Sequence, residues 1–502
     1  MPYNPERKKI IDIGVFIYFF NEEEISCLSK EEIDLSDLPK NPSPLFNYAQ
    51  YLHILDIGAI EKATDAWMKN NFGFGLQNPH HPDDYSIKRM KKSLAQLPLP
   101  IQQGTKIINE EYPSIRAKNA MIDSLCKMFM RSALNLKYLI LSPYDPDKDM
   151  PRSRIFIDNE PGLANLRKLK VRFYANLIDQ HERRENLYDL LKLLPNVCNG
   201  LVQLDVNRIM VPNCVIAEIL TGLIKSQPEL TYCRFYKVYG DMNKLIGALP
   251  VHKLTSLVLD DLILSGLSLS SLSRSTRLEY LVFRKCRSLS IELIQPILKA
   301  PIKLKYLYLS DLPNDVLKAI IIKSSEALEQ VSIKFRSEDI SEGLETLVNH
   351  CQNITHLSLS AYNGPVDILS VISIISLLKH ITHLKLSFAN INIGDELENG
   401  FSKLQLEKLQ YLELINFDII HLKGYLSKCC SPLSTIIMDV IEESNLQIFL
   451  DFSRERNTLK WVGFDYIHPE KYLKVCQRIN ESADCHFQIF HAKQVRIREK
   501  YF

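Results

Sequence analysis

The residue types that could bind a metal or a cofactor are few in this 502-residue chain, and they form no complete pattern. The segment "DPDKDM" (145–150) begins like a calcium-binding loop. However, Met150 stands where a glycine must turn the chain, and Phe156 stands where a bidentate glutamate belongs. The segment "HHPDD" (80–84) could contact a metal, but a solvated loop is the favoured interpretation. The sequence predicts neither a metal nor a cofactor.

Catalytic and nucleotide-binding motifs are equally hard to find. The chain has no GxxxxGK[ST], HExxH or GxSxG sequence, and "GFG" (73–75) lacks the third glycine of a dinucleotide loop. With only 17 glycines in the chain, loops that cradle phosphates are not expected. We therefore predict that the protein is not an enzyme.

Charge and apolar content limit the kinds of partner and location. The chain has 61 Lys+Arg against 59 Asp+Glu, so no overall basic charge points to nucleic acid or to a membrane surface. The longest apolar run, 368–378, is too short to span a bilayer of about 30 Å. Eleven cysteines without a CxxC pair suggest reduced thiols. We expect a soluble intracellular protein, in the cytoplasm or the nucleus.

A six-residue frame recurs along most of the chain. In "RLEYLVFRKC" (277–286) and "KLKYLYLSDL" (303–312), leucine occupies positions one and four, and an apolar residue occupies position six. Consecutive frames start 24 to 35 residues apart, a length that is typical of leucine-rich repeats. The first positions are Leu136, Leu166, Leu201, Leu230, Leu254, Leu278, Leu304, Leu328, Ile354, Ile381, Leu409, Leu433 and Leu459.

The segments between the frames have helical spacing of apolar residues, as in "CVIAEILTGLIKS" (214–226) and "DVLKAIIIKSS" (315–325). A strand followed by a helix, repeated in one direction, requires parallel strands with helices outside them. The predicted fold is therefore an α/β leucine-rich-repeat solenoid with concave strands and convex helices. The cysteines beside the frames, such as Cys286 and Cys351, make it resemble the ribonuclease-inhibitor-like horseshoe. We expect an N-terminal cap with helices and a loose insertion over 1–132, and about 13 repeats over 133–502.

Position three of the frame is predicted to point out of the core, on the concave face. Eight of its thirteen residues are aromatic or histidine, whereas Phe, Trp and Tyr make up 9% of the chain. Two interpretations stay open, because aromatic residues suit strands and are also favoured in interfaces. The candidate partner-binding residues are Tyr232, Tyr280, Tyr306, His356, His383, Tyr411 and Trp461, with the basic residues Arg167, Lys168 and Lys170 of one strand. Protonation of the two histidines near pH ~6 would place like charges side by side, which predicts pH-sensitive binding.

The start of the chain resembles part of a fungal family of F-box/leucine-rich-repeat proteins. The resemblance lies in "FFNEEEISCL" (19–28), Leu38-Pro39 and "PLFNYAQYLHIL" (44–55), within a post-F-box-like segment (19–57). In that family the F-box recruits the Skp adaptor of a cullin-based ubiquitin ligase, and the repeats hold the substrate. The resemblance implies a non-enzymatic substrate receptor that holds another protein on its concave face.

The F-box pattern of that family is not seen in residues 1–40. Leu38-Pro39 comes too late for it, and neither Trp67 nor Trp461 is in range. We expect the chain to start just beyond an F-box and to bind the Skp adaptor weakly or not at all. The alternative is a stand-alone leucine-rich-repeat scaffold or inhibitor that has no association with a ligase.

Overall fold

In a computed structural model of the protein, the chain forms two compact units, Met1–Leu230 and Thr231–Phe502. No described helix is long and apolar enough to cross a membrane. The predicted boundary near residue 132 stays a prediction. The structure describes residues 14–31, 33, 35, 48–72, 115–142, 150–159, 162–173, 185–209, 214–336, 340–362, 366–388, 401, 404, 406–417, 419–440, 446–466 and 487–491.

The first unit alternates helices with short parallel strands that follow chain order. Its helices are α1 (Gly14–Ile17), α2 (Glu22–Lys30), α3 (Ile57–Phe72), α4 (Ile115–Ser132), α5 (Ser153–Ile157), α6 (Glu185–Val197) and α7 (Cys214–Lys225), with a 3-10 turn at Tyr48–Tyr51. Its strands are β1 (Ile54–Asp56), β2 (Tyr138–Leu141), β3 (Lys168–Arg172) and β4 (Gln203–Ile209).

The start of α2 is set by local hydrogen bonds and then fixed to α4. Asn21 Oδ1 accepts the Glu24 N–H at 2.9 Å, and the Glu24 carboxylate accepts the Asn21 N–H at 2.8 Å. This reciprocal pair is a capping box, which satisfies two N–H groups that the helix leaves free. Arg131 of α4 also donates to Glu24, at 2.6 Å, and to the Phe19 carbonyl at 3.1 Å. The "NEEE" sequence therefore both begins α2 and joins it to α4.

The second unit continues the same alternation, again with parallel strands in chain order. Its strands are β5 (Tyr232–Val238), β6 (Ser256–Asp260), β7 (Tyr280–Arg284), β8 (Tyr306–Ser310), β9 (Gln330–Arg336), β10 (His356–Tyr362), β11 (His383–Phe388), β12 (Tyr411–Ile415), β13 (Thr435–Val440), β14 (Trp461–Tyr466) and β15 (Gln488–His491). Its helices are α8 (Met242–Ala248), α9 (Ile291–Lys299), α10 (Asn314–Ser324), α11 (Ile340–His350), α12 (Ile368–Ile375), α13 (Ile419–Lys428) and α14 (Leu446–Arg456), with a 3-10 turn at Ser270–Arg274.

The predicted frame is confirmed, because each of its thirteen copies enters a strand at position three. Leu281 and Leu307, at position four, pair in register and are fully buried. Phe283 and Leu309, at position six, do the same. The repeated leucines therefore form one continuous ladder within the core of the unit, as the α/β leucine-rich-repeat solenoid requires.

Position eight of the frame, next to the last residue of β4 and β5 and directly after β6, β7, β8 and β12, has a backbone conformation that the sequence did not reveal. Six non-glycine residues at this position have φ between 52° and 64°, in the left-handed region. A residue in this region bends the chain sharply near the end of the strand. The six residues are Arg208, Lys237, Asp261, Lys285, Asp311 and Asn416.

Most cysteines near the frame are small core residues. Cys198, Cys286 and Cys351 are buried, and burial raises the pKa of each thiol, to about 12 for Cys286 and Cys351. These thiols stay protonated at neutral pH, so they are poor nucleophiles. In the adjacent pair of the later repeat, Cys429 is buried and Cys430 is exposed.

Some sequence motifs lie outside the described residues, including "GFG", "HHPDD", Leu38-Pro39 and nearly all of "DPDKDM". The strand β15 was missed by the frame search, because polar His486 stands at position one there. Its Gln488 nevertheless pairs with Trp461, so β15 occupies the position-three register.

Candidate functional site

The candidate site is the strand face. We define it as the side of the strands to which frame positions three, five and seven point. Successive side chains of a strand point to opposite sides, so these positions face away from the buried positions four and six. In the second unit, the position-three residues are aligned by strand register, each beside the next. From β5 to β14 they are Tyr232, Ser256, Tyr280, Tyr306, Gln330, His356, His383, Tyr411, Thr435 and Trp461.

Tyr280 and Tyr306 form the most nearly parallel pair of stacked rings in this row. Their ring centroids are 4.0 Å apart, and the planes differ by 4°. Both side chains are partly exposed. Burial, reinforced by the neighbouring Tyr280, raises the pKa of Tyr306 well above the ordinary value. The two rings therefore present a neutral, preformed aromatic surface.

His356 and His383 form a second stacked pair, with centroids 4.1 Å apart and planes 11° apart. The hydroxyl oxygen of Thr355 lies 2.8 Å from His356 Nδ1, and that of Thr382 lies 2.9 Å from His383 Nδ1. Burial lowers the pKa of both rings, to about 4 for His383, where the charge of His356 adds to the effect. The prediction that both rings protonate near pH ~6 is therefore wrong, because burial and the neighbouring His356 keep His383 neutral well below that pH.

Tyr411 belongs to the same row but lies inside the protein. It is 1% exposed, and its hydroxyl donates to the Glu413 carboxylate at 2.7 Å. The half-buried Trp461 packs against Tyr411 and Ile437, and Thr435, between the two rings in register, is fully buried. A small residue between two large ones lets the rings close over it. Tyr411 therefore supports the surface and does not itself offer a contact to a partner.

The other predicted residues lie on both units. Tyr232 is half-buried on β5. Arg167 and Lys168 are exposed and Lys170 is half-buried on or beside β3 in the first unit. The Arg167 guanidinium donates to the Gly200 carbonyl at 3.1 Å. The structure thus brings the aromatic residues of the second unit together, and it places the three basic residues as a separate group on the first unit.

A buried aspartate on the strand face was missed by sequence reasoning. Asp260, at position seven of β6, accepts hydrogen bonds from Arg234 Nη2 at 2.7 Å and from Arg284 Nε at 2.9 Å. Burial by itself would raise the pKa of Asp260, but the bonds from Arg284 and Arg234 outweigh it and lower that pKa. The aspartate stays ionised beneath two cations. A comparison of the position-seven residues of all frames would have identified Asp260 as an acid on the strand face.

A second buried acid lies on β12, the strand next to the histidine pair. Glu413 of β12 is fully buried, and Lys385 Nζ of β11 lies 2.8 Å from its carboxylate. With the Tyr411 hydroxyl, the carboxylate has both a cation and a neutral donor. Buried charges need such partners, since their desolvation is costly.

A cleft of about 870 Å³ opens at the carboxyl ends of strands β7 to β9. Its polar lining mixes Lys285, Arg287 and Lys334 with Asp261 and Asp311. Within the described residues, no three His, Cys, Asp or Glu side chains form a group that could hold a metal ion. The cleft is therefore lined by side chains of both charge signs.

The strand order, the register and the aligned face define a leucine-rich-repeat protein of the α/β solenoid class. No family model matches the chain, and no curated protein matches it. Among solved structures, it is similar to the Rad7 and Elc1 complex of yeast, with a TM-score of 0.39, 11% identity, and coverage of 74% of this chain and 84% of that chain. It is also similar to an internalin of Listeria monocytogenes, with a TM-score of 0.22, 14% identity, and coverage of 75% and 79%.

Proposed function

We propose that this is a non-enzymatic protein that binds another protein on its strand face. The observation that carries the proposal is the Tyr280–Tyr306 stack, which is partly exposed on a rigid, hydrogen-bonded sheet. Rings that are already ordered lose little conformational entropy when a partner covers them. Tyrosine is also among the residues that most often dominate binding energy at interfaces.

Within this proposal, the partner is held in the manner of a substrate receptor of an Skp-cullin-F-box ubiquitin ligase. The support for this part is the resemblance of 19–28 and 44–55 to the fungal F-box/leucine-rich-repeat family. In the structure, α2 covers much of the first segment and packs on α4 through Arg131 and Glu24. The alternative, a scaffold or inhibitor without a ligase, uses the same strand face.

The first experiment identifies the partner by affinity purification and mass spectrometry, and then measures binding between the two purified proteins. The double substitution Tyr280→Ala with Tyr306→Ala removes the aromatic surface. We expect it to weaken binding by about 2 kcal/mol or more, roughly 30-fold, as for interface hot spots. The control is Ile322→Ala on α10, where a large apolar side chain is 49% exposed on the helical side.

Equal losses from the tyrosine variant and from Ile322→Ala, or a loss from the latter alone, would show that the row is strand packing only. The ligase part is tested separately, by titrating the purified chain with the Skp adaptor. We expect weak binding or none. A micromolar or tighter complex would make the ligase association direct and would reject the scaffold alternative.

A further inference from the structure

Two arginines of the second unit share one buried carboxylate. Asp260 lies on β6, between Arg234 on β5 and Arg284 on β7. Its Oδ2 accepts a hydrogen bond from Arg234 Nη2 at 2.7 Å and another from Arg284 Nη2, and its Oδ1 accepts one from Arg284 Nε at 2.9 Å. Because both guanidinium groups bond the same oxygen, they lie side by side. We call Arg234 and Arg284 the arginine pair.

The arginine pair carries more positive charge than its buried carboxylate neutralises. Asp260 supplies one negative charge against two guanidinium groups, which stay protonated in proteins. By contrast, Lys237 and Asp261 nearby pair one to one, at 3.3 Å. Since like charges repel, a second guanidinium beside the first costs free energy unless an anion offsets it. The excess charge therefore fits an anionic group from outside the chain.

The arginine pair also keeps hydrogen-bond donors for such a group. The Asp260 side chain is 2% exposed, whereas those of Arg234 and Arg284 are 27% and 39% exposed. The bonds to Asp260 use Nη2 of Arg234, with Nε and Nη2 of Arg284, so each guanidinium keeps its Nη1 amino group. Among the described residues, Arg234 Nε is buried with no hydrogen-bond partner. A cluster with a structural role alone would be expected to satisfy such a donor.

Tyrosine rings accompany both arginines. The Arg234 guanidinium carbon lies 5.6 Å from the centroid of Tyr236, and that of Arg284 lies 6.0 Å from the centroid of Tyr308. These rings hold the guanidinium groups by cation–π attraction. Tyr308 follows Tyr306 by two residues on β8, so both point to the strand face. The arginine pair therefore adjoins the tyrosine stack of the proposed function.

We propose that the arginine pair binds one side-chain carboxylate, of Asp or Glu, of the protein partner. A carboxylate carries a single negative charge, which equals the excess charge of the cluster. Its two oxygens also match the donor geometry of a guanidinium group. A phosphorylated residue would bring about 1.5 to 2 negative charges and would reverse the sign of the site. The inference rests on the proposed function, because it concerns the same strand face.

The test uses the full chain and three short synthetic peptides, acetylated and amidated so that their ends carry no charge. The peptides differ only at a central position between tyrosine and leucine, which is Glu, Gln or phosphoserine. Saturation-transfer NMR at low salt gives the three affinities, and it detects weak binding without a charged dye. We expect the Glu peptide to bind roughly two- to fivefold more tightly than the Gln peptide, the range for partly exposed ion pairs. We expect the phosphoserine peptide to bind no more tightly than the Glu peptide.

Two matched substitutions locate the binding. Arg284→Gln leaves Arg234 and Asp260 as a one-to-one pair, so the preference for the Glu peptide over the Gln peptide should disappear. Arg274→Gln removes the same charge from an exposed position at the end of the 3-10 turn Ser270–Arg274, and it should leave the preference unchanged. Circular dichroism of each variant checks that the fold is retained.

A third substitution, Asp260→Asn, tests the match of charges. It raises the excess charge of the cluster from one to two, because both guanidinium groups lose their buried counter-charge. The phosphoserine peptide should then gain more affinity than the Glu peptide does. A smaller gain for phosphoserine would overturn the charge match on which the choice of a carboxylate rests. If this variant does not fold, the comparison of Arg284→Gln with Arg274→Gln decides.

Three results with the peptides would overturn the inference. The first is that the Glu peptide does not bind, or binds no better than the Gln peptide. The second is tighter binding of the phosphoserine peptide to the unsubstituted chain. The third is an equal loss of preference in Arg284→Gln and Arg274→Gln.

The identified protein partner separates this inference from the proposed function. If its binding is lost in the Tyr280→Ala, Tyr306→Ala variant but unchanged in Arg284→Gln, the strand face binds a partner that places no carboxylate on the arginine pair, and the inference alone fails. If both variants bind it normally, the proposed function itself is rejected.

Discussion

His356 and His383 occupy paired positions on neighbouring strands, and their imidazole rings stack at 4.1 Å. Burial favours the neutral form of both rings, and the charge of His356 adds to the effect at His383, so the pKa of each is lowered, to about 4 for His383. Near them on the strand face, Lys385 is paired with Glu413, which leaves no excess negative charge there to attract a proton. The pair is an uncharged surface at physiological pH.

The first prediction concerns pH and stability. Below the ordinary pKa of 6.5, histidines of the unfolded chain bind protons, while folded His383 does not do so until about pH 4. Stability is therefore lost as the pH falls through this window. We expect the His356→Phe, His383→Phe variant to lose less free energy of unfolding between pH 7 and 4.5, measured by denaturant titration. The control is His350→Phe, exposed on α11, and an equal slope in both variants would contradict the assignment.

The second prediction concerns the buried Glu413. Lys385→Met removes its cation and leaves a carboxylate that is fully buried. Breaking a buried ion pair on one side is strongly destabilising, so we expect a loss of about 3 kcal/mol in free energy of unfolding. Glu413→Gln in the same chain removes the buried charge and should restore part of the loss. A cost for Lys385→Met no larger than that for Lys299→Met on exposed α9 would show that solvent reaches the carboxylate.

The third prediction compares two helical glycines of the first unit. A Cβ on Gly58, at the start of α3, would lie inside contact distance of the Ser142 backbone oxygen, whereas a Cβ on Gly222 in α7 meets nothing within 4 Å. We expect Gly58→Ala to cost about 1–3 kcal/mol through overpacking. Gly222→Ala should gain up to about 1 kcal/mol from helix propensity. Thermal unfolding of both variants checks the opposite signs, and a stabilising Gly58→Ala would mean that the backbone there adjusts freely.

Much of the fold can be predicted from the local spacing of apolar residues in the sequence. The frame at Leu278 and Leu304 fixes which residues enter strands, because position three begins every predicted strand and positions four and six fill the core. The predicted helices over 214–226 and 315–325 agree with α7 and α10 to within one residue at each end. Such features depend on neighbours a few residues apart, which a single sequence displays directly.

The candidate site was harder to predict, because its details depend on contacts between residues far apart in sequence. Tyr411 has the same frame position as Tyr306, yet it is buried because Trp461 packs on it across small Thr435. Asp260 is covered by arginines 26 residues before it and 24 residues after it. Neither the direction of a long side chain nor the size of its cross-strand neighbours is apparent from periodicity alone.

The last prediction concerns position eight of the frame. Lys285 has a φ of 52°, and left-handed backbone costs an L-amino acid with a Cβ roughly 1–2 kcal/mol, whereas glycine has no such penalty. Part of the gain is offset, since glycine gives the unfolded chain more conformations. We expect Lys285→Gly to raise the free energy of unfolding by up to about 1 kcal/mol and Lys285→Val to lower it, because a β-branched residue fits this region worst.

The matched position for this test is Lys303, which is also exposed in the second unit but lies outside the left-handed region. There the order should reverse: Lys303→Gly should lower the free energy of unfolding, and Lys303→Val should change it little. Denaturant titration of the four variants measures the difference between Gly and Val at each position. The sign of that difference isolates the backbone effect, because the lost lysine side chain is common to both substitutions at a position. The same sign at both positions would mean that the strand exit at Lys285 relaxes to an ordinary turn, and that position eight is not a fixed element of the repeat.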